Sequence, residues 1–296
     1  MKPPKFEYES PHSVDEVVAI LDKYKKNAKI LAGGQSLIAA LNFRSIQPDV
    51  IIDINKISLL EYVEKTQDDN ILIGALTRQG MLEHNEVIKE NLPLMYQAIP
   101  YVAHTAIRNR GSIGGSIVYA DPAGEQPTIT TALDASFKLE SVNGVRWVLA
   151  EDFFLAMNKT VIEPNEILTE IKIPIMNPTV GWAFEEVSRR HGDRVMMGVA
   201  ALVIIDEKGK CEKVRLVYQN GAVKPVLGVK AGHFLHGVSV DQADKAISEA
   251  AQIAAYDEIN PVGDVHTSPE FQRSLAKELT IRVLKKAFSD AVAKQK

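Results

Sequence analysis

Apolar residues along the chain alternate between helical and strand-like spacing, and the switches mark out the elements. Val14, Val17, Val18 and Leu21 follow Ser13 at spacings of three and four, and Glu16 completes a capping box, so a capped amphipathic helix is expected there. The apolar run at 29–32 stops at Gly33-Gly34, and 50–54 is a second β-branched run. Strand, loop, short helix and strand should follow in order as a small βαβ-like unit over about residues 1–56. The pattern restarts at 71–74 as a strand, Thr77 is placed to cap a helix, and Pro93 is placed to open another that runs to about Val102. Residues 125–133 read as a short helix, 136–141 and 146–150 as a hairpin turning at Asn143-Gly144, and 167–173 as an alternating strand.

Pro174, Pro178 and Gly181 interrupt this pattern. Beyond them come strand candidates at 182–188, 200–206 and 214–218, and then helices only. A domain boundary is expected near Asn177, giving residues 1–177 (subdomains of about 1–56 and 57–177) and 178–296. The last helix carries Phe271, Leu275, Leu279 and Val283 at four-residue spacing, with Leu284 and Phe288 alongside, and this stripe should be its buried face.

The 296 residues are 46% hydrophobic and 24% charged, which supports a folded core and argues against disorder. A net charge of −4 gives no nucleic-acid surface, so an anionic ligand has to be held locally. Cys211 stands alone, so neither an internal disulfide nor a cysteine-ligated iron–sulfur cluster can be built, and in its alternating surroundings it reads as a passive strand residue. The start of the chain, Met1-Lys2-Pro3-Pro4-Lys5, lacks a signal-peptide core, and no window approaches a membrane span; a cytoplasmic protein is expected.

Two segments carry candidate chemistry. Ala32-Gly33-Gly34-Gln35-Ser36 follows a strand and precedes a helix, so its amides can turn inward around an anion with no β-carbons in the way. Ser112-Ile113-Gly114-Gly115-Ser116 repeats the pattern, and the two could clamp one extended ligand; tight turns would equally explain either pair of glycines. The G-x-G-x-x-G and Walker patterns are absent, as is any zinc-ligand spacing, so no metal is assigned. His104, beside Arg108-Asn109-Arg110, reads as a structural hydrogen-bonder or a ligand contact, and Asp121 or Glu125 as a cap or a ribose acceptor.

In these residues the chain resembles the FAD-binding medium subunits of molybdenum hydroxylases, the family of xanthine dehydrogenase and carbon monoxide dehydrogenase. The resemblance rests on Leu31-Ala32-Gly33-Gly34-Gln35-Ser36-Leu37, Pro48-Asp49-Val50-Ile51-Ile52-Asp53-Ile54 and Ile73-Gly74-Ala75-Leu76-Thr77. Its most specific part is Ile107-Arg108-Asn109-Arg110-Gly111-Ser112-Ile113-Gly114-Gly115-Ser116 with Ala120-Asp121-Pro122-Ala123-Gly124-Glu125; Asp264-Val265-His266-Thr267-Ser268 resembles the family's C-terminal signature. It implies an α+β fold: a vanillyl-alcohol-oxidase-like (PCMH-type) FAD-binding domain of two subdomains, then a C-terminal α/β domain with a small antiparallel sheet and helices. By the same resemblance, Ile30, Leu31, Ala32, Gly33, Gly34, Gln35, Ser36 and Leu37 line the pyrophosphate and flavin. Ser112, Ile113, Gly114, Gly115 and Ser116 contact the pyrophosphate and flavin edge, Ala103 lies near it, Glu125 is on the adenosine side, and Ile167 and Leu168 form an aliphatic wall.

The chain departs from the family at Glu185, where a Lys able to reach the flavin is common, so a carboxylate there would disfavour anionic reduced flavin. Tyr119 replaces a common His, and Ser112 and Ser116 stand for Thr and Asn. The implied function is electron transfer. A large subunit with molybdopterin cofactor hydroxylates substrate, a small subunit relays electrons through 2Fe-2S clusters, and this chain's FAD passes them to an acceptor, with no catalytic acid or base of its own. A dimer of heterotrimers is expected, with no nucleic-acid partner. Substrate (CO, aldehyde or N-heterocycle) and acceptor (NAD, quinone or oxygen) stay open. Two rivals are a self-contained FAD oxidoreductase of the same fold class and a flavin-free assembly subunit.

Overall fold

The run Val50-Ile51-Ile52 has no polar position because its strand is covered on both faces. In the computed structural model, which describes residues 2–295, the chain opens with β1 (Glu7–Glu9), α1 (Val14–Tyr24), β2 (Ala28–Leu31), α2 (Leu37–Asn42) and β3 (Val50–Asp53). These strands form a parallel sheet in the order β1-β3-β2, with β3 in the centre. Val17, Val18 and Leu21 of α1 pack with Val50 and Ile52. The Ser13 hydroxyl accepts from the Glu16 amide at 3.2 Å, while the Glu16 carboxylate accepts from His12 rather than from Ser13, so the capping box closes one residue early.

The next elements are β4 (Val63–Lys65), β5 (Asn70–Gly74), α3 (Gln79–Glu83), α4 (Glu86–Asn91), α5 (Pro93–Ala98), α6 (Thr105–Arg108), α7 (Ile113–Tyr119) and α8 (Glu125–Ala132). They continue through β6 (Ser136–Ser141), β7 (Gly144–Leu149), α9 (Ala150–Phe153), β8 (Phe154–Ala156), β9 (Lys159–Thr160) and β10 (Ile167–Pro174). The sheet is antiparallel, ordered β4-β5-β10-β6-β7, and β8 and β9 pair separately. Ile73, Ile171 and Phe137 stand side by side across three strands and meet Met95, Ile113 and Ile129 from the helices. A register shift in β10 at Leu168/Glu170 breaks the alternation. Ile167, Leu168 and Thr169 are therefore all buried, Ile167 in the core of the first subdomain and Leu168 in that of the second.

The remainder comprises β11 (Gly181–Ser188), β12 (Val195–Ile205), β13 (Cys211–Gln219), β14 (Val226–Leu227), α10 (Val229–Leu235), α11 (Ala243–Ile253) and α12 (Pro269–Lys294). Its antiparallel sheet is covered on both sides, and strand alternation divides the work. Ala183, Met197, Val199, Ala201, Leu216 and Tyr218 face the helices, whereas Phe184, Ala200 and Val217 join the core of the preceding sheet. Tyr101 stacks edge-on against Phe184 at 5.5 Å, and Arg215 donates to the Thr131 carbonyl at 2.8 Å and pairs with Asp134 at 2.6 Å. Cys211 is buried at the start of β13, where burial pushes its thiol up to about 12.

Several local expectations change. Thr77 caps no helix: it is buried, and its hydroxyl exchanges hydrogen bonds with the backbone of Tyr62, because the chain beyond β5 stays against the 60–62 segment, with Leu76 donating to Leu60 O at 2.8 Å, and Arg78 takes the N-cap of α3. The hairpin turns at Val142-Asn143, with Gly144 already paired to Ser141. A short strand, β14, follows Tyr218 and pairs with β13, so the rest is not wholly helical. On α12, Leu279, Val283, Leu284 and Phe288 are buried, but Phe271 is exposed, and Ala276, Ala287 and Ala291 complete the stripe because the helix lies close against Gly181. Phe184→Ala should remove the aromatic anchor between the two sheets and cost about 3–5 kcal/mol, read as a lower urea midpoint; an unchanged midpoint would mean that the sheets are held together elsewhere.

Candidate functional site

The first glycine segment leaves β2 with its carbonyls turned into the protein. Leu31 O accepts from the Ile54 amide at 3.1 Å, Ala32 O from the Asn55 carboxamide at 2.9 Å, and Gly33 O from the Gln35 carboxamide at 3.0 Å. Gly34 takes φ +76°, which reverses the chain and is open to glycine without strain. Among the described residues the amides of Gly33, Gly34, Gln35 and Ser36 have no acceptor. Four successive donors with no acceptor in the protein, just ahead of a helix, are the arrangement that can cradle an anion.

The second segment differs. Ser112 caps α7 by accepting from the Gly115 amide at 3.2 Å, and the amides of Ile113 and Gly114 donate to Thr77 O at 3.0 Å and Ala75 O at 2.9 Å. Ser116 donates to Ser112 O. Its amides are thus spent on helix and sheet, so the two segments are not matching cradles. What the second contributes is approach: Gly114 lies so close to Ala75 that a β-carbon would come within 2.7 Å of the Ala75 side chain. Gly115 is exposed and looks towards Ala32, whose β-carbon would be 3.9 Å from its own.

Gly33 brings the segments together. A β-carbon there would collide with the Arg110 carbonyl oxygen and lie 2.7 Å from the Gly111 Cα. Arg78 fastens the contact, donating to Arg110 O at 2.8 Å and to the Asn55 side chain at 2.5 Å, with Glu61 at 3.6 Å. Asn55 in turn holds Ala32 O, so a single chain of hydrogen bonds joins both walls of the cleft. Ile30, Ala32 and Ile167 pack in the core beneath it, and Leu37 opens α2 at the end of the first segment. Leu168 lies in the neighbouring core and Ile113 is fully buried, so these two support the walls from behind.

Ala103 sits elsewhere on the rim, in left-handed geometry at φ +43°. Arg108 enforces this: it is buried, pairs with Glu83 through two bonds of 2.7 and 2.9 Å, and donates to the carbonyls of Val102 at 3.0 Å and Ala103 at 3.1 Å. The β11–β12 loop presses on this corner, with Gly192 against Ala103 O and the His104 ring and His191 edge-on to Tyr101. Glu125 is placed apart from both segments, at the start of α8, where its neighbours are Gln219 and Glu186. Strand alternation turns Glu185 to α12, where Arg282 holds it at 2.7 Å. Arg78 and Asn55 belong to no glycine motif, and the role of Arg108, although it stands in the stretch that carries the resemblance, shows only once the chain is folded.

Residues 4–176 match the family model described as the FAD binding domain in molybdopterin dehydrogenase, and residues 182–287 match the CO dehydrogenase flavoprotein C-terminal domain. The chain belongs to the FAD-binding medium subunits of the molybdenum hydroxylase family. This medium subunit is 37% identical over 291 residues to the 6-hydroxypseudooxynicotine dehydrogenase complex subunit alpha of Paenarthrobacter nicotinovorans, covering 98% of this chain and 97% of that one. It is 33% identical over 290 residues to the carbon monoxide dehydrogenase medium chain of Hydrogenophaga pseudoflava, with 98% and 99% covered. The solved carbon monoxide dehydrogenase from Hydrogenophaga pseudoflava that lacks the Mo-pyranopterin moiety superposes with a TM-score of 0.93 at 33% identity, over 98% of this chain and 99% of that one. Quinoline 2-oxidoreductase from Pseudomonas putida 86 gives 0.92 at 32% identity, with 98% and 99% covered. The expected fold, FAD-binding domain and C-terminal domain with antiparallel sheet and helices, is the fold found.

Among the described residues no group of three or more His, Cys, Asp and Glu could hold a metal ion, and no helix is long and apolar enough to cross a membrane. Arg108→Met should strand Glu83 and free the Val102 and Ala103 carbonyls, at a cost of about 3–5 kcal/mol, with little recovery in Arg108→Lys because an ammonium cannot make the same fork of bonds. Thermal unfolding checks both; a Lys variant as stable as the parent would contradict the clamp.

Proposed function

We propose that this medium subunit holds one FAD with its pyrophosphate on the free amides of Gly33, Gly34, Gln35 and Ser36, beside Ile30, Leu31, Ala32 and Leu37, and with the exposed face of Gly115 opposite. The observation that carries the reading is the row of four unpaired amides that follows Ala32, which Gly115 approaches from the other wall with no side chain to fill the gap. These residues fit the cofactor: the donor set is neutral, which lets a chain of net charge −4 hold two phosphates without a basic patch. Ser112 and Ser116 fix the wall on which Gly115 stands, Ile113 and Gly114 anchor that wall to the sheet, and Ile167 and Leu168 back it with aliphatic surface. Ala103 holds the rim where the C-terminal loop closes, and Glu125 belongs to the adenosine end. We take the boundary between the two domains at Asn177, whose side chain and carbonyl form the turn before β11.

When bound, FAD supplies a two-electron store that can also be filled one electron at a time. The chain's own part is to bind it, shield it and present it to partners. Electrons are proposed to reach it from 2Fe-2S clusters of a small subunit, after hydroxylation at the molybdopterin cofactor of a large subunit, and to leave to an external acceptor. Relatives named for caffeine, nicotine, glyceraldehyde and carbon monoxide share this type of chain, which supports assigning substrate choice to the large subunit. We extend the assembly to a dimer of heterotrimers and place it in the cytoplasm, in keeping with a single buried, unpaired cysteine.

Co-expression with the large and small subunits tests the site. Gly115→Val should leave assembly intact but weaken FAD binding by at least about tenfold, ~1.4 kcal/mol, seen as lost flavin absorbance in the purified complex. Full flavin content in that variant would show that Gly115 does not border the cofactor, and a parent complex without FAD would refute the proposed function itself.

A further inference from the structure

The turn that joins α7 to α8, residues 120–124, is fixed only in part by its own bonds. The Asp121 carboxylate accepts from the Ala123 amide at 2.9 Å, and the Gly124 amide donates to Asp121 O at 2.9 Å. Gly124 is the N-cap of α8, so the carbonyls of Pro122 and Ala123 stand outside that helix's ladder, although both residues are buried. Among the described residues their donors come only from the C-terminal domain. The Asn220 amide donates to Pro122 O at 2.7 Å and the Gln219 carboxamide to Ala123 O at 2.8 Å, while Arg194 pairs with Asp121 at 2.7 Å.

The end of β13 is shaped for this reach. Gln219 follows Val217 on the face turned to the FAD-binding domain and is fully buried. Its cross-strand neighbour is Gly198, where a β-carbon would collide with the Gln219 side-chain oxygen, so glycine there leaves room for the carboxamide to lie over β12. Asn220 takes left-handed geometry at φ +59°, which asparagine tolerates, and its carboxamide donates to Val195 O and Met196 O at 3.1 Å. That bend ends the strand and frees the Asn220 amide for Pro122 O.

The held turn lies between two parts of the cofactor site. Upstream is α7, which carries Gly115 and whose last carbonyls, those of Tyr119 and Ala120, accept from Asn158 at 2.9 and 3.0 Å. Downstream, one residue past the turn, is Glu125 at the start of α8. We propose that Gln219 is a positioning residue for FAD: from the C-terminal domain it fixes Ala123 O, and through the turn it sets Glu125 at the adenosine end. The proposal rests on the cofactor assignment made above. Gln219 does not touch the cofactor, because its carboxamide is spent on the turn inside the joint; it acts through the backbone that carries Glu125. The C-terminal domain thereby takes part in retaining FAD, although the phosphate cradle belongs wholly to the FAD-binding domain.

Binding linkage is reciprocal: if the grip on the turn tightens FAD, then FAD must tighten the grip by the same factor. Amide hydrogen exchange of the parent complex, flavin-loaded and deflavinated, reads this without any variant. The Asn220 amide, bonded to Pro122 O, should exchange about tenfold more slowly when FAD is bound. Protection gained at residues 33–36 but not at Asn220 would overturn the proposal and leave the cofactor assignment standing; no gain at either would sink both. Gln219→Met, close in length and volume but without a donor, strands Ala123 O and should release FAD from the co-purified complex about tenfold faster than the parent. Glu125→Gln should also speed release, and the double variant should release no faster than the faster single one, because both changes act on one contact. A merely structural role for Gln219 predicts losses that multiply. Multiplied losses, or a parental rate in Gln219→Met, would overturn the proposal.

Discussion

At Gly33 the backbone of the first subdomain touches the backbone of the second with no side chain between them, the missing β-carbon falling 2.7 Å from the Gly111 Cα and nearer still to the Arg110 carbonyl. The rest of the cleft depends on this approach. Arg78 can reach both Asn55 and Arg110 O only while the two backbones stay in contact, and Asn55 holds the Ala32 carbonyl just ahead of the four amides that have no acceptor. Gly115 can then face Ala32 across a gap left open by two small residues. An anion cradle, a wall opposite it and the hydrogen bonds that hold both in register come from one steric condition.

The C-terminal sheet closes the arrangement by being apolar on both faces. Odd-numbered positions of β12 pack on the three helices, while Ala200 and its neighbours Phe184 and Val217 pack on the FAD-binding domain. The same alternation sends Glu185 to Arg282 and Glu186 into the domain joint, so two adjacent carboxylates have opposite surroundings. A sheet buried on both sides cannot slip in register without moving every side chain to the wrong face. That rigidity holds the β11–β12 loop against Ala103 and His104.

Local chemistry was legible in the sequence where one segment carried the whole signal. The helix after Ser13, the strand at 167–173 and the hairpin near Asn143 rest on spacing and turn residues within a few positions of each other. Short elements were not legible: α6 and the β8–β9 pair have too few residues to show a period, and β14 has only two. Thr77 illustrates a tertiary contact overriding a local preference, since its partner Tyr62 comes from the segment that leads into β4. For the site, the two glycine segments could be found by eye, but their inequality could not. It arises because Ala75 and Thr77, more than thirty residues upstream, consume the amides of Ile113 and Gly114. The partners of Arg78 and Arg108 are carbonyls and side chains from other segments, so the holding role of either arginine follows from the folded contacts and not from local spacing.

The most direct measurement is the FAD-to-protein ratio of the co-purified complex carrying Gly33→Ala, with circular dichroism to confirm that the chain is folded. One added methyl group must push the Ala32–Gly33 backbone away from Arg110 and Gly111, so the cradle should lose its register and the flavin should be largely absent from a folded chain. A complex with one FAD per medium subunit and an unchanged thermal midpoint would contradict the dependence of the cleft on that contact.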